Sequence, residues 1–128
     1  MARLLLVAAG GALGSALRYL VATAALQWLG PFFPWGTLAV NLAGSFLIGL
    51  VQSLAAEGLV LGEEARLFLA AGVMGGLTTY SAFSYETVRL VERGAPWTAG
   101  LNAAGTTVAC LALCYLGLLA GRVVMAPR

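Results

Sequence analysis

Between residues 4 and 125 the chain is almost continuously apolar, and turn-forming residues interrupt it only three times, at 31–34, 58–62 and 94–96. A membrane-spanning helix needs about 20 predominantly apolar residues. The four stretches 4–29, 35–56, 64–92 and 97–125 all meet that requirement. Hydrocarbon offers no water to satisfy exposed peptide groups, so such stretches are helical. The pattern predicts an all-α membrane protein with four transmembrane helices in one domain, 1–128. The connections are too short to hold a soluble domain. Composition agrees: 9% of residues are charged, against about 25% in a typical soluble protein. Apolar residues make up 61%, and the mean hydropathy is +0.94.

What is missing narrows the function. The chain has no His, no Asp and no Lys, which excludes His-based catalytic triads and His or Cys/His metal sites. No catalytic residue and no enzyme activity are expected. No nucleotide-binding motif is present, so nothing suggests a pump. Seven Arg against five Glu leave a net charge of +2. The Arg residues are scattered rather than gathered in a patch, so nucleic acid is not an expected partner. Cys110 and Cys114, four apart in an apolar run, read as two buried inert thiols. Ala22-Thr23-Ala24 mimics a signal-peptide cleavage site. Arg3 is the only early positive charge, however, and Arg18 interrupts the run, so the first stretch reads as a retained span. The tail 126–128 reads as frayed.

Four spans place both termini on one side of the membrane. Arg3, Arg66, Arg122 and Arg128 fall on that side. Arg89 and Arg93 fall on the other, with Arg18 inside the first span and facing them. Orientation follows the Lys/Arg imbalance, and here the imbalance is weak. Insertion both ways up, and with it an antiparallel homodimer, becomes possible.

Most of the 17 Gly read as small residues that let helices approach closely. The polar residues within the spans are fewer and more informative. Gly75-Gly76 followed by Thr78-Thr79 makes a poor continuous helix: each Gly costs about 1 kcal/mol relative to Ala, and the hydroxyls compete for backbone groups. The stretch reads either as a helix broken near mid-membrane or as a Gly-rich kink. Non-helical backbone at that depth belongs in protein or beside a wet cavity. Asn41, alone in an apolar run, is either interhelical glue or a hydrogen-bond donor on a path. Thr37 lies four residues before it on the same face. Asn102, Thr106, Thr107 and Cys110 form a mildly polar stripe on the fourth span, explained equally by packing or by a wet path. Arg18 either snorkels to the interface or collects anions at a pore mouth. Glu86 is positioned for a local pair with Arg89.

Three segments carry a resemblance: 10–19 (GGALGSALRY), 36–46 (GTLAVNLAGSF) and, most specifically, 75–83 (GGLTTYSAF). In this order, in a chain of this length, they resemble the fluoride channel family of bacteria (Fluc, also called CrcB). The match covers nearly the whole chain. The resemblance implies a multi-pass protein of the bacterial plasma (inner) membrane that lets fluoride leave the cytoplasm passively. It implies a dual-topology homodimer of four-helix subunits with two antiparallel fluoride pathways, in contact with membrane lipid. It further implies a structural sodium ion at the dimer centre, on backbone carbonyls at the positions of Gly75 and Thr78. Pore roles are implied for Asn41, Tyr80 and Phe83, and a place near an aqueous vestibule for Arg18. The chain departs from the family pattern in having Tyr80 where Phe is usual and Ala82 where Thr is usual.

The chemistry is compatible. Fluoride is small and strongly hydrated, so a pore must replace its water with donors. The candidate wall is Asn41, Thr37, Thr79 and Ser81, together with the ring edges of Tyr80 and Phe83. Conduction also requires binding weak enough to release the ion. The competing reading is a small four-span, dual-topology exporter of cationic compounds. Such an exporter needs a membrane-embedded carboxylate, and the first span offers Arg18 and no acid.

Overall fold

The computed structural model describes residues 1–56 and 61–125. The turn expected around 58, the tail 126–128 and Arg128 lie outside the described residues. Helix α1 is Ala2–Leu29 and α2 is Trp35–Ala56. The third span is assembled from α3 (Glu63–Arg66), a π-helical stretch (Leu67–Met74), α4 (Gly75–Leu77) and α5 (Tyr80–Glu92). Helix α6 is Pro96–Met125. Among the described residues, four helical spans are long and apolar enough to cross a membrane. Their ends fall within two residues of the sequence expectation. The fourth begins at Pro96, whose missing N–H costs nothing in a first helical turn.

The third span is broken, as one of its two readings anticipated, but the break is narrower than the Gly75 to Thr78 stretch. Gly75 and Gly76 remain helical. Thr78 and Thr79 are extended, with φ/ψ of −81°/154° and −153°/116°. Glycine weakens a helix without ending it; here the threonine side chains mark both edges of the break. The Thr78 hydroxyl donates back to the Met74 carbonyl at 2.8 Å. Thr79 Oγ1 accepts the Ala82 N–H at 3.2 Å, an N-cap that starts α5.

Helix α1 packs along the π-helical stretch and α4, and α2 packs along α6. Both contacts are backbone to backbone. A Cβ on Gly14 would overlap the Val73 carbonyl, and one on Gly117 would overlap the Phe46 carbonyl, so these glycines do serve close packing. The inner core is small: Val40, Val73, Met74 and Leu77. Large apolar side chains such as Leu4, Leu20, Leu101 and Val108 face outward, as lipid contact requires. Trp28, Trp35 and Trp97 all sit at the end of the bundle where α1 finishes and α2 and α6 begin. Indole rings prefer that interfacial depth.

Candidate functional site

The break leaves peptide groups without helical partners, and α2 supplies the replacement. The Thr79 N–H, withdrawn from the helical ladder, donates to Asn41 Oδ1 at 2.8 Å. Asn41 Nδ2 donates to the Thr79 carbonyl at 3.1 Å. One carboxamide thereby pairs both polar groups of one residue, as a neighbouring strand would. Leaving them unpaired in hydrocarbon would cost several kcal/mol. Asn41 is thus both glue and candidate donor, because a second Nδ2 hydrogen remains.

Beside this clamp lies a cavity of about 460 Å³ lined by Asn41, Thr79, Tyr80, Phe83, Thr106 and Cys110, among others. Tyr80 and Phe83 share a face of α5, with ring centroids 5.5 Å apart and planes tilted by 47°. Phe83 is buried, whereas Tyr80 is 79% exposed. Ser81 sits one step outside, its hydroxyl 3.2 Å from that of Thr79.

Thr37 faces a different cavity, of about 380 Å³, at the Trp-bearing end of the bundle with Trp35, Glu86, Arg89 and Arg93. Its hydroxyl donates to Glu86 Oε1 at 2.8 Å, while Glu86 Oε2 is buried with no hydrogen-bond partner. The expected Glu86–Arg89 pair does not form. Glu86 turns inward toward α2, and Arg89 donates to Glu92 at 2.8 Å on the exposed side of α5. Thr37 and Asn41 are one turn apart, about 6 Å along the α2 axis, so the two cavities follow one another along α2.

Arg18 approaches the break itself: its Nη1 is 3.5 Å from the Thr78 carbonyl oxygen. Gly75, one α4 turn before the break, is exposed, with open space where a Cβ would stand. Its carbonyl loses its usual i+4 donor, since the Thr79 N–H goes to Asn41.

The expected burial of the two cysteines needs correction. Cys110 and Cys114 are free and half-buried, and Cys110 lines the larger cavity. Cys110 is four residues beyond Thr106 on the polar stripe, and that spacing was the available signal. Thr87 carried none: it hydrogen-bonds the Phe83 carbonyl at 2.7 Å and receives Asn102 Nδ2 at 2.8 Å, a contact that only the fold reveals.

The sequence profile of the family described as CrcB-like protein, camphor resistance (CrcB), matches residues 5–118. A relative from Agrobacterium fabrum named fluoride-specific ion channel FluC is 49% identical over 122 residues, covering 95% of this chain and 98% of its own. Proteins of the same name from Anaeromyxobacter dehalogenans and Thermus thermophilus are 50% and 54% identical. These alignments cover 93% and 91% of this chain, and 94% and 93% of theirs.

Proposed function

This chain belongs to the CrcB-like family, and on that premise we propose that it is a fluoride-specific ion channel giving passive export of fluoride from the cytoplasm. It is a multi-pass membrane protein of bacterial type. The observation that carries the reading is the break in the third span, held open by Asn41 beside a cavity walled by two aromatic rings. The relatives' names do not support the cation-exporter alternative.

Fluoride entering this cavity exchanges water for the free Nδ2 hydrogen of Asn41, the Thr79 hydroxyl, whose proton is left free when Ser81 outside the cavity donates to it, and the electropositive ring edges of Tyr80 and Phe83. None of these groups carries a formal charge, so the ion is stabilised without being trapped. The Thr37–Glu86 pair stands one turn toward the Trp-bearing end, and the Arg18 guanidinium supplies positive potential at the break.

The assembly is proposed as an antiparallel homodimer, supported by the weak Arg asymmetry. A sodium ion at its centre fits the residues present. Hard cations take oxygen ligands. The Gly75 carbonyl is released at an exposed, side-chain-free position. The Thr78 carbonyl keeps a lone pair beside the one Arg18 approaches. Those two carbonyls, from both copies, would hold the ion, which supplies a fixed positive charge that ties the subunits together. Efflux from liposomes tests the function: the purified protein releases fluoride and retains chloride. Equal release of both, or of neither, overturns the reading.

A further inference from the structure

Asn102 is 2% exposed, on the fourth span. A carboxamide so placed persists only when its hydrogen bonds are satisfied. Its Nδ2 donates to Thr87 Oγ1 at 2.8 Å, and its Oδ1 accepts from Thr106 Oγ1 at 3.2 Å. Thr87 Oγ1 donates to the Phe83 carbonyl at 2.7 Å. Counting protons fixes the direction. A hydroxyl has one hydrogen, and that of Thr87 is used on Phe83, so Thr87 can only accept from Asn102. The amide therefore turns its nitrogen to Thr87 and its oxygen to Thr106. The single Thr106 proton is thereby committed to Asn102.

The two ends of this relay, Thr106 and Phe83, line the larger cavity, while Asn102 and Thr87 do not. The break cuts α5 off from the helical continuity of the third span. Its placement then depends on packing against α6 and on side-chain ties, to α2 through Asn41 at its N-cap and through Thr37–Glu86, and to α6 through Asn102. We infer that Asn102 is a positioning residue of the fluoride pathway, fixing the Phe83 segment and holding the Thr106 proton away from the cavity. This rests on the channel reading above. With its proton engaged, Thr106 offers the passing anion a methyl group and oxygen lone pairs, not a donor. Asn102 thus keeps the fourth-span wall from binding fluoride too tightly while it steadies the ring opposite.

The test is fluoride efflux from liposomes with Thr87→Val, which keeps shape and loses the hydroxyl, and Thr87→Ser, which does the reverse. Asn102→Leu and the Thr87→Val/Asn102→Leu double variant complete the set. Thr87→Val is expected to slow efflux about tenfold, the scale of one lost buried hydrogen bond, with an unchanged size-exclusion profile. Thr87→Ser should match the parent. Asn102→Leu should be at least as slow as Thr87→Val, and the double variant no slower than Asn102→Leu, because linked residues are not additive. Parent-like efflux by Thr87→Val, or equal impairment of Thr87→Ser, assigns the contact to packing and overturns the inference. So does a double variant whose loss is the product of the single losses. If Asn102→Leu does not assemble, the two Thr87 variants decide alone. A parent that releases no fluoride refutes the channel reading instead, before any variant is compared.

Discussion

Asn41 holds Thr79 at both polar groups, accepting its N–H at 2.8 Å and donating to its carbonyl at 3.1 Å. The second span therefore does for the third what a helical turn would otherwise do. Asn41→Leu removes both bonds and leaves two peptide groups unpaired. It should lower stability by about 2–6 kcal/mol, from a desolvation cost of about 1–3 kcal/mol for each of the two groups, and abolish fluoride efflux. Asn41→Asp keeps the acceptor, loses the donor and puts a negative charge on the path. It should fold better than Asn41→Leu and conduct no better. Thermal unfolding in detergent and liposome efflux separate the two effects. Parent-like efflux in Asn41→Asp would remove Asn41 from the pathway.

The α1 crossing predicts a sign difference between two glycines. A Cβ on Gly14 meets the Leu77 nitrogen at 2.8 Å and overlaps the Val73 carbonyl, both rigid backbone, whereas at Gly100 nothing lies within 4 Å. Gly14→Ala should destabilise by about 1–3 kcal/mol, the usual cost of overpacking. Gly100→Ala should leave the melting temperature unchanged or slightly raised, since Ala is the better helix former. A Gly14→Ala protein with the parent's melting temperature would show that α1 and the third span separate at little cost.

How far these features could be read beforehand follows from their range along the chain. The four spans were legible because apolar runs ending at Gly30-Pro31 and at 94–96 are local signals. The break was legible in part: Thr78-Thr79 marks it, while Gly75-Gly76, also a poor helix former by propensity, stays helical. The π-helical turns over Leu67–Met74 were not legible, because an apolar run without Pro is the same string in either helix type. Pairings across spans were not legible either. Thr37 and Asn41 read as one face with one role, yet Thr37 meets Glu86 from 49 residues away and Asn41 meets Thr79 from 38.

If sodium sits on the Gly75 and Thr78 carbonyls, it joins two copies, and the joint should depend on that ion. Exchange of sodium for N-methylglucamine should shift the protein toward monomer in size-exclusion chromatography and slow fluoride efflux. A dimer and a flux indifferent to the exchange would remove sodium from the assembly.

Dual topology predicts double-sided labelling. In a Cys110→Ser/Cys114→Ser background, Trp97→Cys places a thiol at an exposed position at the start of α6. An impermeant maleimide added to intact cells should label about half of it, and lysis should release the rest. Complete labelling, or none before lysis, would mean a single orientation and rule out an antiparallel pair.

The aromatic pair separates ring from hydroxyl. Tyr80 and Phe83 lie 5.5 Å apart on one face of α5, beside the cavity that Asn41 lines. Phe83 is buried and offers only its ring, whose edge carries the positive end of the quadrupole. Its segment is also tied down, since its carbonyl receives the Thr87 hydroxyl. Tyr80 is largely exposed in the single chain, and it offers either an edge or a hydroxyl. Phe83→Ile roughly keeps the volume and removes the quadrupole. It should cut fluoride efflux at least tenfold, equivalent to about 1.4 kcal/mol at the barrier, with little change in stability. Tyr80→Phe removes one oxygen, keeps the edge and should conduct. The opposite pattern, with Phe83→Ile active and Tyr80→Phe silent, would identify the Tyr80 hydroxyl as the group that meets the ion.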